Sequence, residues 1–235
     1  MDDLIEAVPS NLSVALLADA AYRCGVAVGV APAAIEPLDP SRPLAGPVRP
    51  VQANNDLVAI LAAVHAAAPG EVIVIDNPDL EVGLIGDLIG LEAQRKGLGG
   101  FVVDGCVRDR VELVRLGVPV FARGTVPVGP LKIPAERKGI GVLGEPVQVG
   151  DARVTAADWA FGDADGVVFL PGNELERIVE AAQQAQDRET ALENKMRAGE
   201  ALGDVLAIEE FLRRRDADPD GADFNAHLAR TGRAI

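Results

Sequence analysis

The chain has 235 residues, a length that fits one large domain or one domain with an extension. Its 22 Lys and Arg against 36 Asp and Glu leave a formal net charge of −14. No basic surplus is available to release counterions, which excludes nucleic acid as a partner and disfavours an anionic membrane. Apolar residues make up 49% but aromatics only 3%, so the core is expected to be Val, Leu, Ile and Ala, as in a parallel sheet covered by helices.

Two cysteines, Cys24 and Cys106, are too few for a disulfide framework or a structural zinc site. Two histidines, His65 and His227, are too few for a His-rich metal centre. The start, Met1-Asp2-Asp3, lacks the basic region of a signal peptide, and no apolar run approaches the length of a membrane span. The expected compartment is a reducing cytoplasm.

Residues 1–34 carry helical spacing at Leu12, Leu16, Leu17 and Ala20. Pro32 to Pro50 holds six prolines and predicts an irregular connection or edge strands. A helix is expected over 56–67, ended by Pro69-Gly70, with His65 on it as a surface or core residue. Then come a buried strand at 71–76, a helix at 86–96 stopped by Gly97, a strand at 100–104, a helix near 109–116 and a strand at 119–123. Strand–helix–strand–helix–strand is the pattern of parallel pairing with helical crossovers.

From 125 to 171 the pattern changes to short β segments with turn signals, read as added antiparallel or barrel-like β structure. Asn173 with Glu176 suggests a capped helix start, followed by a helix to about Ala198 and a stop at Gly199. A second helix is expected over 201–215, its Arg213-Arg214-Arg215 suiting a helix C-terminus. The last twenty residues are polar and predict loose order. The division is therefore an α/β catalytic domain at 1–171 and a helical arm at 172–235. That arm has too little apolar surface to fold alone and is expected to pack on the body or on another subunit.

Gly139-Ile-Gly-Val-Leu-Gly144 matches G-x-G-x-x-G, but Pro134-Ala-Glu-Arg-Lys precedes it and Glu145-Pro-Val-Gln-Val follows, so it is read as turn and strand glycines. Asp163-Ala-Asp-Gly166 lacks the remaining positions of a calcium loop and is read as a β-turn. The informative pair is Gly86-Asp87-Leu88-Ile89 and Asp104-Gly-Cys-Val-Arg108-Asp109, each after a strand and opening a helix. Ligands of open α/β sheets bind beyond the carboxyl ends of strands. The first segment offers helix-start amides for a carboxylate; in the second, Arg108 can clamp a carboxylate and Asp109 can hold a hard cation. The alternative is that Arg108 and Asp109 pair locally and cap a helix. Cys106 is read as a buried small hydrophobe.

The stretch GDLIGLEAQRKGLGGFVVDGCVRD at 86–109 resembles the signature of the RraA-like family, which includes 4-hydroxy-4-methyl-2-oxoglutarate aldolases. Pro69-Gly70-Glu-Val-Ile-Val-Ile-Asp76, Gly117-Val-Pro-Val-Phe-Ala-Arg-Gly124 and Asp163-Ala-Asp-Gly-Val-Val168 extend the resemblance, which covers about residues 12–200.

The resemblance implies an α/β fold with a swivelling β/β/α core, a parallel βαβαβ unit with added β segments and a helical C-terminal arm, assembled as a homotrimer or homohexamer. It implies a lyase of the class II type, using Mg²⁺ or Mn²⁺, that releases pyruvate from 4-hydroxy-2-oxo acids and decarboxylates oxaloacetate. Carried over by motif, Asp109 is the direct metal ligand and Arg108 contacts the pyruvyl portion. The amides of Gly86, Asp87, Leu88 and Ile89 hold its carboxylate, and Asp87 holds metal-bound water and helps move a proton. Glu189, from a neighbouring subunit's C-terminal helix, reaches the outer shell of the metal; Glu193, one turn on, shares its helix face. A branch of the family instead regulates a ribonuclease by binding it, without catalysis, and is the rival reading.

Overall fold

The computed structural model describes residues 12–231. Helix α1 spans Val14–Arg23, with the Ser13 hydroxyl capping it at the Leu16 amide. Of the expected helical spacing, Leu16, Leu17 and Ala20 belong to this helix and Leu12 precedes its cap; residues 1–11 lie outside the described part. Short strands β1 (Gly29–Val30) and β2 (Glu36–Pro37) lead to β3 (Leu44–Gln52) and α2 (Leu57–Ala66). Next come β4 (Val72–Asp76), α3 (Asp87–Lys96), β5 (Gly100–Val107), α4 (Arg110–Leu116) and β6 (Val120–Thr125). After two 3₁₀ turns at Pro130–Lys132 and Ala135–Arg137, five short strands follow. They are β7 (Val142–Leu143), β8 (Val147–Val149), β9 (Ala152–Val154), β10 (Asp158–Asp163) and β11 (Gly166–Pro171).

Among the described residues the main sheet runs β1-β11-β10-β3-β4-β5-β6-β2, with β7 also on β3. Strands β3 to β6 pair in parallel, β4 to β6 being the parallel unit that the sequence pattern predicts, and the flanking strands pair antiparallel. The sheet curls into an α/β half-barrel with helices. Alternate side chains of β4 and β5 enter two cores. Ile73, Ile75, Phe101 and Val103 meet α2, α3 and α4, while Val72, Val74 and Val102 meet the β8–β9 hairpin and β10–β11. Burial on both faces is why these strands read as unbroken β-branched runs. Each fully buried Ile or Phe contributes about 1.5–3 kcal/mol of hydrophobic stabilisation.

The proline-rich segment meets expectation at β2, which lies on the sheet edge, and departs from it further on. Residues 44–52 form neither an irregular connection nor an edge strand but β3, an interior strand. It pairs with β10 through Pro47 and with β4 from Val48 onward, so its partner changes where the prolines fall. The Pro50 carbonyl accepts from the Gly144 amide, on the side away from β4. Backbone groups of one strand residue share a side, so the donor that Pro50 lacks is not one that the β4 ladder needs.

Gly139, Gly141 and Gly144 flank β7 in irregular backbone and a bend, not in the strand itself, and no helix follows them, so the dinucleotide fingerprint is absent as expected. Asp163 and Gly166 face each other across the two-residue turn of the β10–β11 hairpin. Both agree with the sequence reading. Asn173 does not cap the next helix: it lies within a 3₁₀ turn, Gly172–Glu174, that runs directly into α5 (Leu175–Arg197).

The chain divides into two compact units, 1–178 and 179–235, with α5 crossing the division. In the second unit the expected helix at 201–215 is broken. α6 (Leu202–Val205) and α7 (Ile208–Ala217) are separated at Ala207, which takes a left-handed conformation with φ 52°. Residues 232–235 lie outside the described part, but residues 216–231, predicted to be loosely ordered, contain α8 (Phe224–Arg230). Its buried His227 packs on Phe211 and Phe224, with Nε2 3.1 Å from the Leu206 carbonyl. Three rings supply an anchor that a count of aliphatic residues does not reveal.

Candidate functional site

The loop before α3 is stitched along the end of β5. The Leu84 amide donates to the Cys106 carbonyl (2.9 Å), and the Arg108 amide to the Ile85 carbonyl (2.8 Å). This register places Gly86-Asp87-Leu88-Ile89, which opens α3, beside Arg108-Asp109, which precedes α4. All six residues line one cleft of about 330 Å³ in the first unit.

Arg108 donates from Nε to Asp109 Oδ2 at 3.0 Å, and the Asp87 amide lies 3.4 Å from the same oxygen. Asp109 adopts a left-handed backbone, φ 55° and ψ 42°, and its side chain does not cap α4. That separates it from the helix-cap alternative, although its pairing with Arg108 is local. A non-glycine residue in this region is uncommon and marks a position worth attention. The pair fits because glycines surround it. A Cβ on Gly86 would stand 2.5 Å from Asp109 Oδ2, one on Gly129 2.6 Å from Arg108 Nη1, and one on Gly83 2.9 Å from the Val107 carbonyl.

The first turn of α3 has Gly86 as N-cap and no side-chain cap. Its amides are thus not claimed by the usual Ser or Asp acceptor. The Leu88 amide instead donates to Asp87 Oδ1 at 2.8 Å. Leu88 itself is 75% exposed at the cleft edge.

The donors suit a lightly held cation. Among the described residues no group of three or more His, Cys, Asp and Glu side chains converges on a metal position. Asp109 with Asp87 beside it is too small a set for a closed zinc or calcium cage. It fits Mg²⁺ or Mn²⁺, whose shell is completed by waters and substrate oxygens. Asp109 Oδ1 has no hydrogen-bond partner among the described residues, which leaves it available as a ligand.

Several lining residues escaped the sequence reading: Leu57 and Leu61 from α2, and Gly129, Pro130, Leu131 and Lys132 from the segment after β6. None carries a periodic or motif signal. Lys132 adds a second cation to the cleft. Glu189 stands in the second unit, on an exposed length of α5, with Glu193 one turn further on. Cys106 is buried and its thiol is pushed up by burial, as expected of an inert hydrophobe.

A second polar group closes the sheet on its other face. Asp76 and Asp104 are register neighbours on β4 and β5. Asp104 pairs with Arg123 Nε and accepts the Gly150 amide at 2.9 Å, tying the β8–β9 turn to the sheet. Burial, with the Asp104 charge adding to it, pushes the Asp76 carboxyl up, against the opposing hydrogen bond from the Gln148 backbone.

A family model described as RraA-like, Aldolase/RraA, matches residues 14–169. The chain belongs to the RraA-like family. Among relatives, one from Halalkalibacterium halodurans, named "Putative 4-hydroxy-4-methyl-2-oxoglutarate aldolase", is 36% identical over 184 residues, covering 77% of this chain and 82% of its own. Among solved structures, an uncharacterised protein from Pseudomonas syringae pv. tomato shares the RraA-like fold with TM-score 0.73 at 20% identity, covering 87% of this chain and 96% of its own. Streptomyces coelicolor RraAS2, described as an unusual member of the RNase ES inhibitor RraA family, superimposes with TM-score 0.70 at 26% identity, over 81% of this chain and 96% of its own. No helix among the described residues of this RraA-like chain is long and apolar enough to cross a membrane.

Proposed function

We propose that the cleft belongs to a divalent-metal-dependent class II aldolase. It cleaves a 4-hydroxy-2-oxo di- or tricarboxylate, of the 4-hydroxy-4-methyl-2-oxoglutarate type, to pyruvate and a second 2-oxo acid, with oxaloacetate decarboxylation as a side activity. The observation that carries this reading is the meeting of Arg108, Asp109, Asp87 and an uncapped helix start in one cleft. The aldolase name of the 36%-identical relative supports it.

In the reaction the substrate's 4-hydroxyl loses its proton and the C3–C4 bond breaks. C4 becomes the carbonyl of the second product, and C3 takes a proton to become the pyruvate methyl group. When bound, Mg²⁺ or Mn²⁺ supplies Lewis-acid stabilisation of the charge that develops on the 2-oxo oxygen. Asp109 would hold the ion, with Asp87 and a neighbouring subunit's Glu189 holding water on it. Arg108 faces the 2-oxo acid portion with the guanidinium nitrogens that Asp109 does not use. The α3 first turn receives the carboxylate, for which the Leu88 amide must exchange Asp87 Oδ1 for substrate. That exchange frees the Asp87 carboxylate to move a proton through water. Sharing Glu189 requires a neighbouring subunit, and we propose a homotrimer or homohexamer as the assembly.

Pyruvate release from 4-hydroxy-4-methyl-2-oxoglutarate and from oxaloacetate, with Mg²⁺ or Mn²⁺ and then with EDTA, tests the reading. Release that chelation stops is expected. No release from either substrate with either metal sinks it. The likeness to RraAS2 favours a second reading, a non-catalytic partner of a ribonuclease. Tight ribonuclease binding by a chain inert toward both substrates is its expected signature.

A further inference from the structure

We propose that Gly129 is a positioning residue for Arg108: by carrying no side chain, it lets the guanidinium lie where its outer nitrogens meet a ligand carboxylate. The inference rests on the cleft being a 2-oxo acid site and adds what aims the arginine within it.

Arg108 runs through a sleeve of three glycines. A Cβ placed on Gly83 would stand 3.0 Å from Arg108 Cβ, and one on Gly86 3.3 Å from Cγ and 3.2 Å from Nε. One on Gly129 would stand 2.6 Å from Nη1, 3.6 Å from Cζ and 3.7 Å from Cδ. The first two positions have other reasons to be glycine, since Gly83 crosses close to the Val107 carbonyl and Gly86 abuts Asp109 Oδ2. At Gly129 the three nearest atoms all belong to Arg108. Its backbone, φ −94° and ψ 161°, is extended and open to residues with a Cβ. The conformation of the chain does not call for glycine there; the Arg108 side chain does.

Both backbones are fixed, so the side chain is the part that yields. The Val126 amide donates to the Val107 carbonyl (2.9 Å), and the Val128 carbonyl accepts from the Gly83 amide (2.8 Å). The segment that leads to Gly129 is thus bonded to the end of β5 and to the loop before α3. The Gly129 carbonyl accepts from the Lys132 amide (3.1 Å), and the Arg108 amide donates to the Ile85 carbonyl (2.8 Å). By contrast the Arg108 side chain is 42% exposed, and among the described residues its one hydrogen bond runs from Nε to Asp109 Oδ2. A methyl group at 129 would therefore displace the guanidinium and leave the segment where it is.

The guanidinium is planar, with its three nitrogens at fixed corners. Asp109 takes Nε, and Gly129 packs into the bend formed by Cδ, Cζ and Nη1. The outer edge, Nη1 and Nη2, is left to grip a carboxylate through two parallel hydrogen bonds. Such a pair tolerates little misalignment, so moving Nη1 weakens both bonds.

The test is a double-mutant cycle read by calorimetric pyruvate binding to the full chain with Mg²⁺ present. Lysine ends short of the Nη1 position, so in an Arg108→Lys background a methyl group at 129 has nothing to displace. Gly129→Ala is expected to weaken pyruvate binding about tenfold, the scale of one charge-assisted hydrogen bond at a partly solvated site, without lowering the melting temperature. Added to Arg108→Lys, the same change should cost less than about twofold. Equal losses in the two backgrounds, or a lowered melting temperature, would place the effect in the segment and not in the arginine, and overturn the proposal. Unchanged pyruvate affinity in Gly129→Ala, where Arg108→Lys does weaken it, also overturns the proposal and leaves the 2-oxo acid reading standing. A wild-type chain that binds no pyruvate overturns both.

Discussion

Asp109 combines a strained backbone with a free carboxylate oxygen, and the two features make different demands on a substitution. At φ 55° most side chains are penalised, but Asn tolerates the left-handed region best after glycine. Asp109→Asn therefore keeps the turn and removes only the negative charge. We expect its melting temperature to stay near that of the wild type while calorimetric Mg²⁺ binding and turnover both disappear. Unchanged Mg²⁺ affinity in this variant would remove Asp109 as the ligand. Gly86 places the opposite constraint on the same spot. Any Cβ there intrudes on Asp109 Oδ2, so the residue that begins α3 is small because the carboxylate is beside it.

Strand β3 shows how one element joins the two halves of the sheet, and Gly46 sits at that join. A Cβ on Gly46 would fall inside contact distance of the Gly70 carbonyl oxygen, a backbone atom with little room to retreat. Ala ordinarily favours a strand over Gly by about 0.5–1 kcal/mol. Here the overlap dominates, and Gly46→Ala should destabilise by about 1–3 kcal/mol in urea unfolding. A stabilised variant would show that the crossing of β3 over Gly70 is looser than described. Strand ends titrate as well. Because the Asp76 carboxyl is held above its ordinary value, the folded protein keeps its proton to higher pH than the unfolded chain does. Stability is then lost as pH rises from the ordinary carboxylate value through the raised one. Asp76→Asn should raise the melting temperature at neutral pH and lose that advantage in acid; a uniform shift at both would contradict it. The parallel strands were legible because burial on both faces leaves Val and Ile runs in the sequence. β3 was not, since proline statistics assume one partner along a strand, whereas β3 changes partners at Pro47–Val48. The 86–109 half of the cleft was legible because its residues are contiguous, while Lys132 arrives on an aperiodic segment fixed by distant side chains.

At the scale of the whole molecule the open question is what the second unit contributes. Its helices enclose Phe211, Phe224 and His227 in a small core of their own, but the distal length of α5 exposes Glu189, Glu193 and Met196 to solvent. Glu189 lacks an ion pair among the described residues, whereas Glu193 is paired with Arg197 on the same helix. That difference favours Glu189 as the acidic group free to act elsewhere. If it orders water on the cation of a neighbouring subunit, Glu189→Ala should lower turnover roughly 10–100-fold, with the oligomer unchanged on a sizing column. Complementation gives a sharper test. Glu189→Ala and Asp109→Asn chains, each poorly active alone, are mixed under conditions of subunit exchange. Some interfaces of a hybrid then join an intact Asp109 to an intact Glu189, and turnover should rise above the sum of the two separate variants. When mass spectrometry confirms exchange and turnover does not rise, each site is complete within its own chain or Glu189 is not part of it. The turnover of Glu189→Ala alone decides between these: normal turnover excludes Glu189 outright, whereas impaired turnover without complementation places it in the same chain as its Asp109.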